Sequence, residues 1–238
     1  MTDGIRIADQ ERAARLAGAM YLIQMATGTF TQIYARGSLI ARGDPTQTAR
    51  NIIDSEGLFR IGIASDLATY TAVLIATWAL YVLLRPVNRN LALLAVLFRL
   101  MELAIHFNAT VESLGVLRIL SGAEYLKSIE VNQLQSMAQL ALSVQGEAVN
   151  MGFILLGLGS AVFARLLFES RFIPRLLSGW GMFASLLIGA YALATIVFPK
   201  AGALQVLPML PMGIYEVTLG FWLLLRGAKI QPRAAHSA

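Results

Sequence analysis

The sequence predicts an all-α integral membrane protein, a bundle of about six transmembrane helices with both termini on the cytoplasmic side. Three observations predict it. The 238 residues are 57% hydrophobic and 14% charged, with a mean hydropathy of +0.64, whereas a soluble domain typically carries about 25% charged residues. Six apolar runs reach the roughly 20 residues that a helix needs to cross the hydrocarbon core. Lysine and arginine are spread unevenly over the connections, as the positive-inside rule requires.

The runs lie near residues 14–34, 59–84, 91–117, 137–168, 176–198 and 206–225. The fourth is the longest and is expected to tilt or to project beyond the bilayer. No polar stretch is long enough to form a separate soluble domain, so residues 1–238 read as a single transmembrane domain. One side of the bundle holds eleven basic residues: Arg6, Arg12, Arg15, Arg85, Arg89, Arg165, Arg171, Arg175, Arg226, Lys229 and Arg233. The other holds seven: Arg36, Arg42, Arg50, Arg60, Arg118, Lys127 and Lys200. The richer side is assigned to the cytoplasm, and Trp78, Trp180 and Trp222 fall toward it as an interfacial belt would. The polar, mixed-charge start of the chain lacks a short apolar core followed by a small-residue cleavage site, so it is not read as a signal peptide.

Between the runs, Asp44 is placed to cap a short helix near residues 45–56, with Pro45 in its first turn and Gly57 ending it. Ala49, Ile52 and Ile53 give that helix an apolar side, so it is expected to lie on the outer surface. Residues 121–135 read either as a second helical cap or as the start of the long fourth helix. Gly181, Ser185 and Gly189 recur every four residues and permit close helix approach, as do Ser160 and Ala164. Arg15-Leu-Ala-Gly18 resembles Arg175-Leu-Leu-Ser-Gly179, and Leu-Leu-Arg85 resembles Leu-Leu-Arg226. Related hairpins, as in transporters, would produce such a repeat; the ordinary placing of a basic residue beside an apolar helix is the favoured reading. Asn108-Ala-Thr110 matches a glycosylation pattern but lies within a span and is set aside.

Several chemistries are excluded early. The chain has no cysteine, which removes disulfides, iron–sulfur clusters, cysteine nucleophiles and thiolate zinc sites. The net charge of +5 is carried by short loops that orient helices, so no nucleic-acid partner is expected. His106 is the only histidine inside a span, and His236 lies in the tail. A metallohydrolase would lack its ligands, and a bis-histidine haem would need a second chain. Glu102 and His106 form E-x-x-x-H, not the Glu-x-x-His of di-iron bundles. No nucleophile elbow supports a serine activated by His106, and Lys127 and Lys200 sit in loops, away from any buried Schiff-base position. No metal site is expected, and the sequence names no cofactor.

The informative residues are those that ought not to be in a membrane. A charge at the bilayer centre costs about 2.5–3.5 kcal/mol on insertion scales. The third run carries Arg99, Glu102, His106 and Glu112. Spacings of three and four put the first three on one helix face, where local pairing offsets part of their desolvation. At about 1.5 Å per residue, Arg99 lies about 12 Å from the inner end, Glu102 about 16 Å and His106 about 22 Å. Glu216 in the sixth run lies about 14 Å in. An ion pair between Arg99 and Glu216, bridging the third and sixth helices, is therefore expected. Asp66 and Asn150 lie about 27 Å in and Glu147 about 32 Å, close to the depths of His106 and Glu112. These depths predict an outward-opening pocket lined by Asp66, His106, Glu147 and Asn150, with Pro208 and Pro211 breaking the sixth helix beside it. A plainer reading stands against both groups. Buried pairs can serve only to fix helix register, and Glu112 and Glu147 can reach interfacial water, which is the favoured reading for those two.

Arg15-Leu-Ala-Gly18 with Tyr21-Leu-Ile, the segment Ser55-Glu-Gly-Leu-Phe-Arg60-Ile-Gly-Ile-Ala-Ser-Asp66-Leu, and Leu83-Leu-Arg-Pro-Val-Asn-Arg-Asn-Leu-Ala-Leu-Leu94 followed by Phe98-Arg-Leu100 carry a resemblance. They resemble a family of bacterial membrane proteins catalogued as domain of unknown function 4386, over most of the chain. The resemblance implies a multi-helix protein of the bacterial inner membrane. It implies no activity, cofactor or catalytic residue, but it draws attention to Arg60, Asp66 and Arg99. The leading expectation is a non-enzymatic protein that binds or moves a small solute, ion or lipid through the region around Arg99, Glu102, His106 and Glu216. Two alternatives stay open. One is an enzyme on a lipid-soluble substrate, with His106 as acid or base beside Asp66 or Glu147. The other is an accessory subunit whose charges serve assembly. The expected partners are the lipid bilayer and a small-molecule or lipid ligand, with a homo-oligomer left open.

Overall fold

Each apolar run is overlain by a helix, and six long helices close into a ring. The computed structural model describes residues 7–41, 43–198 and 206–230, with residues 206 and 207 described by their backbone. Arg6, Arg42, Lys200, Arg233 and His236 lie outside the described residues. Helix α1 (Ile7–Thr29) continues into a π-helical segment, Phe30–Arg36, and a single turn, α2 (Gly37–Leu39). Then come α3 (Pro45–Asp54), α4 (Glu56–Leu84) and α5 (Arg89–Ile119). A 3₁₀ turn (Glu124–Leu126) precedes α6 (Val131–Ser170), α7 (Arg175–Val197) and α8 (Val206–Arg226). Residues 121–135 are thus a short turn followed by the start of a long helix.

Five helices among the described residues are long and apolar enough to cross a membrane: α4, α5, α6, α7 and α8 from Pro208 onward. The protein is a multi-pass membrane protein. Helix α1 falls short because Arg12, Arg15 and Gln24 dilute it, and its apolar run finishes in the π-helical segment. The ring runs α1–α4–α5–α6–α7–α8 and closes where α8 packs on α1. Chain neighbours are therefore spatial neighbours at every step except that closure. Large apolar side chains such as Leu97, Phe183, Ile214 and Phe221 face outward and are exposed, the inverse of a water-soluble fold.

Small residues set the spacing. A Cβ at Gly18 would come within 2.5 Å of the Leu224 nitrogen and 2.7 Å of the Gly220 oxygen, so α1 and α8 touch backbone to backbone. At Gly157 of α6 a Cβ would meet the Ser185 oxygen at 2.6 Å and the Gly189 Cα at 2.8 Å. The stripe on α7 is divided between two partners, since Gly181 faces the Tyr215 ring of α8. Gly179, the counterpart of Gly18 in the weak repeat, has nothing within 4 Å. The two segments share sequence but not a packing role.

One end of the ring is filled by Leu83, Leu84, Leu166, Leu167, Leu219 and Leu223. At the other, α3 covers the bundle through Ile52, with Leu39, Phe59, Val116, Ala138 and Leu142 in the same cluster. Helix α6 has 40 residues, about 60 Å at 1.5 Å per residue, twice a hydrocarbon core of about 30 Å. Its first turns support α3, where Thr46 Oγ1 donates to Gln135 Oε1 at 2.9 Å. Asp44 caps α3 by accepting from the Gln47 N–H at 2.8 Å, and Pro45 opens it. Two expectations need correction here. Gly57 does not end α3 but lies in the first turn of α4, and Ile53 is exposed while Thr48, Ala49 and Ile52 are buried. Asp44→Ala is expected to destabilise α3 by about 1 kcal/mol. Amide exchange should show faster opening in residues 45–54 and unchanged protection in α5.

Helix α8 is also continuous where a break was expected. Pro208 sits in its first turn, where a missing N–H costs little. Pro211 lies inside the helix, and Trp180 Nε1 on α7 donates to its carbonyl at 3.0 Å.

Candidate functional site

The buried face of α5 repeats at helical spacing: Ala92, Ala95, Arg99, Glu102, Leu103, His106, Ala109, Thr110 and Ser113. Small residues at one end let the helix approach its neighbours, and the polar ones are carried into the ring. Arg99, Glu102 and His106 are all at most 5% exposed. Arg99 Nη1 lies 2.8 Å from Glu102 Oε2, an ion-pair contact out of line for a hydrogen bond, because neither atom has a hydrogen-bond partner among the described residues. Glu102 Oε1 lies 3.6 Å from His106 Nδ1. The far side of the ring, Nε2, donates to the Val149 carbonyl of α6 at 3.2 Å. Tyr70 stacks on the imidazole at 5.4 Å and Phe153 meets it edge-on at 5.9 Å.

Two glycines of α6 make this possible. A Cβ at Gly152 would come within 2.3 Å of His106 Nε2, and one at Gly159 within 3.1 Å of Arg99 Cγ and Cδ. The α5–α6 contact is thus shaped around the two side chains.

From α8, Glu216 enters the same space, buried beside Tyr215. The structure corrects the expected Arg99–Glu216 ion pair. Arg99 contacts Glu102 on its own helix, and no nitrogen–oxygen distance of 4 Å or less joins it to Glu216. Glu216 still interacts electrostatically with Arg99 and with Gln24 of α1. Gln24 is 6% exposed, and its Oε1 has no hydrogen-bond partner among the described residues. Helices α5, α8 and α1 therefore bring one guanidinium, two carboxylates and one amide to the ring centre.

The outer group does not assemble as expected. Asp66 is bound by Arg36 Nη2 at 2.6 Å, and the π-helical segment is what turns Arg36 inward from the end of α1. Asn150 faces α7, donating to Thr195 Oγ1 at 2.6 Å and the Ala192 oxygen at 3.4 Å. Glu147 is exposed, and Glu112 is half-buried. His106 thus shares no hydrogen bond or ion pair with Asn150 or Glu147 among the described residues, and from α4 it meets Tyr70, one turn along from Asp66. Arg60 pairs with Glu56 on the exposed surface of α4 at 2.6 Å and takes no part. Lys127 is likewise exposed and paired with Glu124 at 2.5 Å.

Two central residues were missed from sequence. Gln24 was visible as a lone amide within the first apolar run. Arg36 gave no such signal, because it follows the last apolar residue of its run and so reads as a loop cation.

A family model described as a domain of unknown function (DUF4386) matches residues 16–227. No curated protein and no solved structure matches the chain.

Proposed function

This chain belongs to the family of the domain of unknown function DUF4386, and we propose that it binds a small positively charged solute at the centre of its helical ring and moves it across the membrane. The reading rests on one observation. The ring centre buries Glu102 and Glu216 against the Arg99 guanidinium, while the Gln24 Oε1 lacks a hydrogen-bond partner among the described residues. The Arg36–Asp66 pair cancels itself. With both carboxylates ionised and the histidine neutral, the centre carries one negative charge in excess.

Excess buried charge costs several kcal/mol, and more so at membrane depth. A lock built only for assembly would balance its charges and satisfy its oxygens. Carboxylates and an amide oxygen converging in a membrane bundle instead form the kind of oxygen-lined setting that takes cations. Their level in helices three and six of the ring matches the midplane position of transporter sites. The proposed setting is a bacterial cytoplasmic membrane crossed six times, with both ends of the chain inside.

The test is thermal unfolding of the full chain in mild detergent with sodium, potassium or tetramethylammonium chloride, against N-methylglucamine chloride at equal ionic strength. At 100-fold excess over its dissociation constant, a bound ion stabilises by about 2.7 kcal/mol. That gain is expected in the wild type and is expected to vanish in Glu216→Gln, which removes the excess charge. Absence of stabilisation by all three ions, or an equal gain in the variant, would contradict the reading.

A further inference from the structure

Both ring nitrogens of His106 face oxygen. The Val149 carbonyl, 3.2 Å from Nε2, can only accept, so Nε2 carries a proton. A neutral imidazole has just one N–H, and it is used there. Nδ1 would then turn a bare lone pair toward Glu102 Oε1, 3.6 Å away, with both residues at most 5% exposed. Two like-signed electron pairs facing each other in a low-dielectric setting repel. The contact becomes attractive when it holds one more proton. On Nδ1 that proton gives imidazolium and carboxylate; on Oε1 it gives a neutral ring and a neutral acid.

The same proton closes the charge balance at the ring centre. Arg99 contributes one positive charge, and Glu102 and Glu216 one negative charge each, so a single added proton brings the sum to zero. We infer that Glu102 and His106 form a proton-binding site whose proton is exchanged for the cationic solute. This rests on the reading of the ring centre as a cation site. As the solute enters, the proton leaves the Nδ1–Oε1 contact for water. One N–H or O–H bond breaks, one positive charge replaces another, and no electron is transferred.

Every neighbouring element fits this count. Arg99 faces the pair from its own helix, and Glu216 faces it from α8. Helix α4 contributes Tyr70, stacked on the imidazole, and Asp66 one turn away. Tyr21 of α1 and Arg36 of the π-helical segment lie within electrostatic reach. Arg36 and Asp66 neutralise each other, and the tyrosines are uncharged at neutral pH. Helix α6 presents the Val149 carbonyl and the Phe153 ring, its Glu147 being exposed, and α7 meets α6 through Ser185 and Gly189.

The experiment uses the full chain with His236→Gln, so that His106 is the one histidine left, and with isotope-labelled histidine. In weakly buffered detergent solution, sodium, potassium and tetramethylammonium chloride are added in turn. Binding of the labelled ion, proton release to a pH dye and the nitrogen resonances of the imidazole are followed together. The ion that binds is expected to release about one proton per ion, as linkage requires, and to shift the His106 resonances. Ion binding without proton release, or release with unmoved His106 resonances, would overturn the exchange and leave the cation site standing. Failure of all three ions to bind would remove the cation site and the exchange with it.

Discussion

Arg99→Met is expected to destabilise the protein by about 3–5 kcal/mol, the range for removing one partner from a buried charge group. Methionine keeps most of the apolar stem that lies along Gly159, so the loss reports charge rather than packing. Arg99 is the cation that both Glu102 and Glu216 feel, and its removal leaves two carboxylates buried with no guanidinium opposite. The second site identifies the cause. Arg99→Met combined with Glu216→Gln is expected to recover a large part of the loss, because one stranded charge goes with the second substitution. Equilibrium unfolding in mixed detergent for the two single variants and the pair forms a double-mutant cycle. Additive losses would mean that the two residues do not share a charge balance.

Gly18→Val is expected to cost about 3 kcal/mol, the upper end for overpacking. The atoms that a new side chain would strike are the Leu224 nitrogen and the Gly220 oxygen. Backbone cannot rotate aside as a side chain can, so α1 must move off α8 at the seam that closes the ring. Gly179→Val is the matched control. Its Cβ would meet nothing within 4 Å, so an effect within about 0.5 kcal/mol is expected, as for an open surface position. Equal losses at the two positions would revive the repeat as a shared packing motif and contradict the seam.

The membrane class was legible because length and apolarity of a run decide it, without knowledge of any partner. The polar face of α5 was legible for a similar reason: residues 99, 102 and 106 share a face at any helical geometry. What pairs with that face was not legible. Depth along an axis puts Arg99 and Glu216 at one level, but it does not say which way each side chain turns, and the nearer carboxylate on α5 took the contact. Depth failed in the same way for Glu147 and Asn150, which sit at the right height on α6 but point to the outside and to α7. Arg36 was hidden by a rarer device. A π-helical segment carries the helix beyond its apolar run, and sequence periodicity gives no sign of such a bulge, which often marks functional positions. The α1–α8 closure was likewise out of reach, since it joins the two most distant of the long helices and rests on glycines that look like any others.

Tracer uptake tests the central claim most directly. The full chain is reconstituted into liposomes with an acidic lumen, and labelled sodium, rubidium and tetramethylammonium are supplied outside. Wild-type liposomes are expected to accumulate at least one of these ions above protein-free liposomes, more slowly when the lumen is neutral, and Glu216→Gln liposomes are expected to match the protein-free level. No accumulation of any of the three by folded wild-type protein, or equal accumulation by the variant, would contradict the claim that the ring centre carries a cation.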